Sequence, residues 1–260
     1  MLAALAGRAQ TQLPLGDDPE ASPIWQKVRA SLFQQRPISA ATAATLILEA
    51  PSRAVDAAVV PIAIRSRLPQ TTERYVSRLY LLIDANPSPI AAIFQLSPDN
   101  GRAEIETRVR VDAYSHVRAI AETNDGQLIM ATRFVKASGG CSAPAAGDAA
   151  AALARMGQMR FRIEGDASGA APVLAQLQID HPNHSGLAMD QSTRQFTPPH
   201  FVRRIDVSQA GRQVLSADVD FSISENPHLR FYFKPQGSGE LSATVVDSRD
   251  KRWVAVQPLR

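Results

Sequence analysis

The segment HVRAIAETNDGQLIMATRFV, residues 116–135, is the clearest indication of the fold class, because it contains two strand-like runs with a turn sequence between them. Both runs are rich in valine, isoleucine, threonine and phenylalanine, which favour strands. Between them lies Asn124-Asp125-Gly126, a sequence that tolerates the positive φ angles of a tight turn. The stretch therefore predicts an antiparallel β-hairpin.

The flanking sequence repeats the strand pattern. In AEIETRVRV, residues 103–111, the side chains of Ile105, Val109 and Val111 alternate with charged ones, which is typical of a half-buried antiparallel strand. LRFYFK, residues 229–234, alternates in the same way. Short runs of this kind recur about every ten residues, a spacing typical of β-sandwiches and not of alternating strands and helices. We therefore predict an all-β fold.

Two segments have helical patterns instead. In residues 22–34, Ser22 can cap a helix that begins with Pro23. Its apolar residues fall at helical spacing: Ile24, Trp25, Val28 and Leu32. In DAAAALARM, residues 148–156, Asp148 can cap a run of good helix formers. We expect two short helices, one near the N-terminus and one in a linker.

These patterns divide the chain into four parts. They are a leader (1–21), a first β-sandwich (22–136), a flexible, partly helical Gly/Ala-rich linker (137–157) and a second β-sandwich (158–260). The leader opens with MLAALAGRAQTQ, which resembles the cleavage end of a secretory signal but lacks a charged start and a full apolar region. It is either the remnant of a trimmed signal or a disordered alanine-rich segment.

Composition narrows the function classes. The chain has 260 residues, 45% of them hydrophobic, so it can bury the cores of two domains. The net charge of +3 is spread without a basic block, which argues against nucleic-acid binding. No run reaches the roughly 18 apolar residues of a membrane span. A single cysteine excludes an internal disulfide.

That cysteine, Cys141, lies in ASGGCSAPAAGDAAA, residues 137–151. Gly139 and Gly140 precede it and the small Ser142 follows it, so we expect an exposed, mobile and sterically bare thiol. The nearest cation in sequence is Lys136, too far away to activate the thiol strongly. These features suit a passive carrier of a covalently bound group, although an inert surface cysteine is the simpler alternative.

Two other roles for Cys141 can be formulated from the residues. A cysteine–histidine nucleophile needs a histidine within hydrogen-bond distance, and the candidates are His116, His181, His184, His200 and His228. His181 and His184, three residues apart, could also bind a metal together with Cys141. Since no hydrolase signature is present and His-Pro-Asn-His reads more simply as a turn, we expect neither a catalytic centre nor a bound metal or cofactor.

Several motifs together resemble a known family. Three segments resemble SoxY, the sulfur-carrying subunit of bacterial sulfur oxidation: residues 84–96, 105–128 and 134–141. Three later segments resemble its partner SoxZ: residues 179–190 (IDHPNHSGLAMD), 197–207 (TPPHFVRRIDV) and 221–248. The order and content are similar to the fused SoxYZ-like carriers associated with quinoprotein dehydrogenases, which are periplasmic.

The resemblance implies two immunoglobulin-like β-sandwiches paired within one chain. It also implies that a cysteine in a Gly-Gly-Cys-Gly-Gly arm carries sulfur intermediates between enzymes. Gly139, Gly140 and Cys141 match this arm, whereas Ser142 and Ala143 do not. In the family the arm ends the SoxY chain, but here the sequence continues, so the arm becomes a loop anchored at both ends.

The sequence thus leads to two functional hypotheses. The first is a periplasmic carrier without a catalytic centre, which holds a thiosulfate-derived group on Cys141 and presents it to sulfur-oxidation enzymes. The second is a non-covalent docking module for a quinoprotein (PQQ) alcohol dehydrogenase or its cytochrome. Cys141→Ser would separate them, since only the first needs the thiol.

Overall fold

A computed structural model describes residues 18–144, 148–190, 193–237 and 239–259. The predicted all-β class is confirmed. The described residues form fifteen strands in two sheets, and their helices are few and short. The predicted leader falls mainly on residues 1–17, which lie outside the described ranges.

The strands fall into two groups separated by the linker. The first group contains β1 (Ile38–Ala40), β2 (Leu46–Glu49), β3 (Val60–Ser66), β4 (Val76–Ile83), β5 (Ile90–Leu96), β6 (Glu104–Val109), β7 (Ser115–Thr123) and β8 (Leu128–Val135). The second group contains β9 (Met159–Glu164), β10 (Val173–Ile179), β11 (Val202–Gln209), β12 (Arg212–Val219), β13 (His228–Phe233), β14 (Glu240–Asp247) and β15 (Arg252–Pro258).

Both predicted helices are present with their predicted caps. Helix α1 spans Pro23–Phe33, and the Ser22 side chain accepts a hydrogen bond from the Trp25 N–H. Helix α2 spans Ala149–Arg155 and is capped by Asp148. Two short 3-10 helices add to these, at Pro19–Ala21 and Pro98–Asn100.

The hairpin predicted from residues 116–135 is also confirmed. β7 and β8 pair antiparallel, with Ala119 opposite Ala131. In the turn between them Gly126 takes a φ of +86°, the left-handed region that glycine enters at least cost.

The strands form a long sheet and a short sheet that face each other. The long sheet has the order β1-β8-β7-β4-β5-β12-β11-β14-β15, and the short sheet has the order β2-β3-β6-β13-β10-β9. Apolar side chains from both sheets fill one shared core, with Phe94, Ile105, Phe231 and Val245 among its buried members. The molecule is thus a two-layer β-sandwich.

Each half contributes neighbouring strands to both sheets, as the predicted sandwiches require, and the two halves join edge to edge in each sheet. In the long sheet β5 pairs antiparallel with β12, where Phe94 lies opposite Ala217. In the short sheet β6 pairs with β13, where Ile105 lies opposite Phe231. The predicted pairing within one chain is therefore made by backbone hydrogen bonds and by a continuous core.

Helix α1 covers the outer face of the long sheet and closes a second, smaller core. Trp25 and Phe33 from α1 pack there against Tyr80. Next to this core the fully buried Arg118 lies 4.4 Å from the Trp25 ring centroid and pairs with Asp84 at 2.6 Å. Asp84 directly follows β4 and Arg118 lies in β7, so the pair neutralises the buried cation at the sheet, and the contact of Arg118 with the Trp25 ring joins it to helix α1.

None of the helices in the described ranges is long and apolar enough to cross a membrane.

Candidate functional site

Cys141 lies in the junction between the two halves, on the segment that follows β8. We name residues 137–144 the cysteine segment. The thiol residue is completely buried, with 0% of its surface exposed. The predicted exposure of Cys141 is therefore wrong, although Ser142 next to it is exposed.

Backbone hydrogen bonds hold the cysteine segment against the loop that follows β6. The N–H of Gly139 donates to the Asp112 carbonyl at 2.8 Å, and the N–H of Gly140 donates to the Val111 carbonyl at 3.0 Å. The Cys141 N–H donates to the Asp112 side-chain Oδ1 at 3.2 Å. The segment therefore lies along residues 111–112 instead of projecting into solvent.

Gly140 is needed because the backbones approach closely at this point. A Cβ atom on residue 140 would lie 2.1 Å from the Ala57 carbonyl oxygen and 2.7 Å from the Val111 carbonyl oxygen. Both distances are far inside van der Waals contact. Gly140 thus permits close packing, whereas Gly139 takes a φ of +79°, and a Cβ there would make only an ordinary contact with Ser142 Oγ at 3.9 Å.

The second half of the chain completes the site. The hydroxyl of Ser185 donates to the Cys141 carbonyl, so the SoxZ-like half holds the cysteine segment directly. Nearby Asn183 is fully buried; its side chain donates to the Ile223 carbonyl at 2.9 Å and accepts from the Val202 N–H at 2.9 Å. The loop 181–185 is therefore held in place by hydrogen bonds and forms one side of the cysteine site.

Arg110 lies between the two halves beside Cys141. Its Nη1 donates to the Gly140 carbonyl at 3.4 Å and its Nη2 donates to the Asn183 carbonyl at 3.3 Å. The residue is only 3% exposed, and its Nε has no hydrogen-bond partner among the described residues. Burial lowers the pKa of Arg110, since the charged form loses hydration.

The surroundings suppress ionisation of the thiol. Burial, followed by the negative charge of Asp112, raises the pKa of Cys141 to about 12. Asp220 acts in the same direction, while the positive charge of Arg110 opposes them. Arg110, and not the sequence neighbour Lys136, is thus the cation that favours the thiolate.

Because the thiolate is the reactive form, Cys141 is inert in this conformation.

A second buried polar cluster lies at one end of the SoxZ-like half. His200 Nε2 and Asp247 Oδ2 are 2.6 Å apart, and His181 Nε2 lies 3.7 Å from the same oxygen. Burial, and then the charge of His200, lower the pKa of His181 to about 4, which keeps the ring neutral. Burial tends to raise the pKa of Asp247, but the hydrogen bond from His200 and two backbone N–H groups lower it overall.

Each of these three residues offers one nitrogen or oxygen atom that could coordinate a metal ion. The three atoms lie within 4.8 Å of one another, which is close enough for a shared ion. However, His181 Nδ1 accepts a hydrogen bond from the Asn183 N–H at 3.0 Å. A metal ion bound to His181 Nε2 would require the ring proton to lie on Nδ1. That proton would then point at the Asn183 N–H, and the hydrogen bond would be lost. The Asn183 N–H therefore disfavours a metal on His181, and the His181 Nε2 has no hydrogen-bond partner among the described residues.

The two weak metal candidates from the sequence, His181 and His184, are not brought together with Cys141. His181 joins His200 and Asp247, while His184 pairs through its backbone with His200 across an isolated β-bridge. Within the described ranges no histidine forms a hydrogen bond with the Cys141 sulfur, so the alternative of a cysteine–histidine nucleophile gains no support. The sequence pattern gave no sign of Arg110, Asp112 or Ser185, which contact the segment from distant positions.

Similar solved structures are partial likenesses. One is the sulfur carrier protein SoxY from Chlorobium limicola f thiosulfatophilum, 25% identical, with a TM-score of 0.37, covering 44% of this chain and 91% of that one. Another is a superoxide reductase (neelaredoxin) from Ignicoccus hospitalis, 17% identical, with a TM-score of 0.30, covering 45% of this chain and 89% of that one. TM-scores this low do not identify a function.

Among curated proteins none matches the chain. Two family models do match it, in tandem. The model of the sulfur oxidation protein SoxY matches residues 29–141 and so ends at Cys141 itself, and the model of the sulphur oxidation protein SoxZ matches residues 161–258. Together they cover most of the chain in the order that the sequence motifs indicated, and the chain therefore belongs to the SoxY and SoxZ families as a fused SoxYZ-like protein.

Proposed function

We propose that this protein is a covalent sulfur carrier that holds a thiosulfate-derived group on Cys141. The observation that carries the proposal is the position of Gly139-Gly140-Cys141 at the end of the SoxY match, directly against the SoxZ-like half. A carrier needs no catalytic centre of its own, because the partner enzymes supply the chemistry.

The step fits a thiol but needs a partner. Joining thiosulfate to the Cys141 thiol forms one S–S bond and releases one proton and two electrons, and a redox partner protein must accept the electrons. Since the buried thiol has a pKa of about 12, the cysteine segment has to leave its site before the sulfur can react. Docking of the partner is the event that we propose opens it.

Periplasmic location and the partner enzymes belong to the same proposal. The resemblance of residues 1–12 to the cleavage end of a secretory signal supports export, and sulfur-oxidation enzymes of that compartment are the proposed partners. Cell fractionation with an antibody against the protein tests the location; recovery with cytoplasmic markers would contradict it.

Intact mass spectrometry tests the carrier function. Protein isolated from cells growing on thiosulfate is measured before and after reductant, beside the Cys141→Ser variant expressed in the same way. The expected result is an added mass on the wild type that reductant removes and that the variant lacks. A wild-type protein that always has the mass of a free thiol would overturn the proposal.

The burial of Cys141 favours a second candidate, a non-covalent docking module for a quinoprotein dehydrogenase system. A fully buried thiol with a raised pKa is chemically silent, as a module without covalent chemistry would allow. The same variant decides between the two. Full function of Cys141→Ser in cells would support docking alone, and its loss would support the carrier.

A further inference from the structure

We propose that Arg110 binds the anionic end of the group carried on Cys141, so that the site selects sulfur oxyanions over neutral adducts. The inference rests on the proposed carrier function and adds a specificity-determining residue to it. It is carried by a buried guanidinium whose hydrogen-bonding capacity is largely unused, immediately beside the carrier thiol.

The first observation is the incomplete hydrogen bonding of Arg110. A guanidinium has five N–H donors, yet with the described residues the Arg110 side chain makes only two hydrogen bonds, at 3.3 and 3.4 Å, which is beyond the usual range for N–H···O. Its buried Nε has no partner among the described residues. A buried donor without a partner destabilises the protein. An oxyanion at this point would supply the hydrogen-bond acceptor that Arg110 Nε lacks.

The second observation is that one of the two bonds depends on the resting position of the cysteine segment. Nη1 donates to the Gly140 carbonyl, the peptide that directly precedes Cys141. When the segment leaves its site this bond breaks and frees Nη1 together with the unused Nε. A small outward shift of the Gly140 peptide is enough to break this 3.4 Å bond, and it leaves Arg110 donors available to a group on the neighbouring Cys141 sulfur.

The third observation is the charge around the thiol. Asp112 and Asp220 both act on Cys141 as negative charges, and Arg110 is the cation that opposes them. An oxyanion attached to Cys141 would be repelled by the two carboxylates unless Arg110 offsets them. A neutral adduct would need no such cation. The arrangement therefore matters for an anionic cargo and little for a neutral one.

Two thiol reagents separate the anionic from the neutral case. With tetrathionate, the Cys141 thiolate attacks a central sulfur, a Cys141–S–S–SO₃⁻ adduct forms, and thiosulfate leaves. With methyl methanethiosulfonate, the thiolate forms a neutral methyl disulfide and methanesulfinate leaves. Both reactions consume one thiolate and need no external oxidant, so they differ mainly in the charge of the reagent and of the product.

The experiment measures the loading rates of both reagents on the full chain by intact mass spectrometry and takes their ratio. The ratio is divided by the ratio for the same protein in denaturant, which removes intrinsic reactivity. Because both reagents need the same opening of the segment, a variant that merely opens it changes the two rates equally. Arg108→Gln is the matched control, since it removes a partly exposed arginine and changes the net charge equally.

In Arg110→Gln we expect the tetrathionate preference to fall about 10- to 100-fold, the effect of one hydrogen bond to a charged group. Arg108→Gln is expected to keep the wild-type ratio. In Arg110→Lys, which keeps the charge but loses the planar guanidinium, we expect the tetrathionate preference to fall less. This variant tests the proposal if Arg110→Gln does not fold.

A ratio that stays at the wild-type value in Arg110→Gln, or that falls equally in Arg108→Gln, would overturn the role of Arg110 and leave the carrier proposal standing. The carrier proposal fails separately, when protein from thiosulfate-grown cells never carries a reductant-sensitive mass.

Discussion

Replacing Gly140 by alanine should expel Cys141 from its buried site. The new Cβ would lie 2.1 Å from the Ala57 carbonyl oxygen and 2.7 Å from the Val111 carbonyl oxygen. Neither oxygen can retreat cheaply, since Ala57 O accepts the Val111 N–H at 2.8 Å and Val111 O accepts the Gly140 N–H at 3.0 Å. The cysteine segment, whose other contacts are a few hydrogen bonds, is the part that yields.

The size of the effect follows from the ionisation of the thiol. At pH 8, a thiol with a pKa of about 12 is about 1 part in 10⁴ thiolate, whereas one with the ordinary value of 9.0 is about 1 part in 10. Since the thiolate is the nucleophile, release of the segment should speed alkylation up to about 10³-fold. Steric access, which the buried state denies, adds to this factor.

The assay is iodoacetamide labelling of native protein at pH 8, followed by mass spectrometry. Ser138→Ala is the matched control, because it changes an exposed side chain of the same segment. We expect Gly140→Ala to label at nearly the rate of denatured protein, and the control to label as slowly as wild type. Wild type that labels as fast as denatured protein, or a folded Gly140→Ala that labels as slowly as wild type, would refute the reasoning.

Three further predictions concern stability and titration. Asp84→Ala removes the buried bidentate partner of Arg118, leaves only the more distant, exposed Glu20 carboxylate at 3.7 Å, and should lower the free energy of unfolding by about 3–5 kcal/mol in urea titrations. Gly157→Ala should lower the melting temperature markedly, because at a φ of +87° its Cβ would lie 2.0 Å from Trp253 Nε1. In the difference between wild type and Cys141→Ser, thiolate absorbance at 240 nm should stay flat from pH 7 to about 10, since the pKa is about 12.

The two stability predictions each have a matched control variant. Asp218→Ala removes an exposed partner of Arg204 and should cost less than about 1 kcal/mol; a loss as large as that of Asp84→Ala would contradict the argument from burial. Gly169→Ala places a Cβ where no atom lies within 4 Å, so its melting temperature should match wild type. A thiolate signal that rises near pH 9 would show that Cys141 is not held in its site.

The fold could be predicted because its signals are local. The alternation of Ile105 and Val109, the Gly126 turn and the Ser22 cap each depend on residues a few positions apart, and the structure contains all three. The strand ends at Val109, however, so Val111 lies beyond it. The shared sheets could not be predicted in the same way. Whether β5 pairs with β12 depends on which strand edges meet, and residue patterns within a strand do not encode that.

The burial of Cys141 escaped prediction for a related reason. Glycines beside a thiol are compatible with mobility, but they equally allow two backbones to approach closely. Only the distant partners decide between these meanings: Asp112 lies 29 residues before Cys141, and Ser185 lies 44 residues after it. The histidines show the same limit. Short spacing suggested that His181 and His184 form a metal site, whereas folding brings His181 next to His200 and Asp247, which are distant in sequence.

The position of the site at the junction gives the fusion of the two halves a physical role. Ser185 and Asn183 belong to the SoxZ-like half, so the thiol is enclosed only while the two halves are paired. In one chain that pairing is intramolecular and independent of protein concentration, whereas two separate chains would expose the thiol whenever they dissociate. The second anchor that shortens the reach of Cys141 therefore also protects it. A doubly anchored thiol that is inert at rest is best suited to a partner that docks at the junction, opens residues 137–144 and meets the sulfur near the surface.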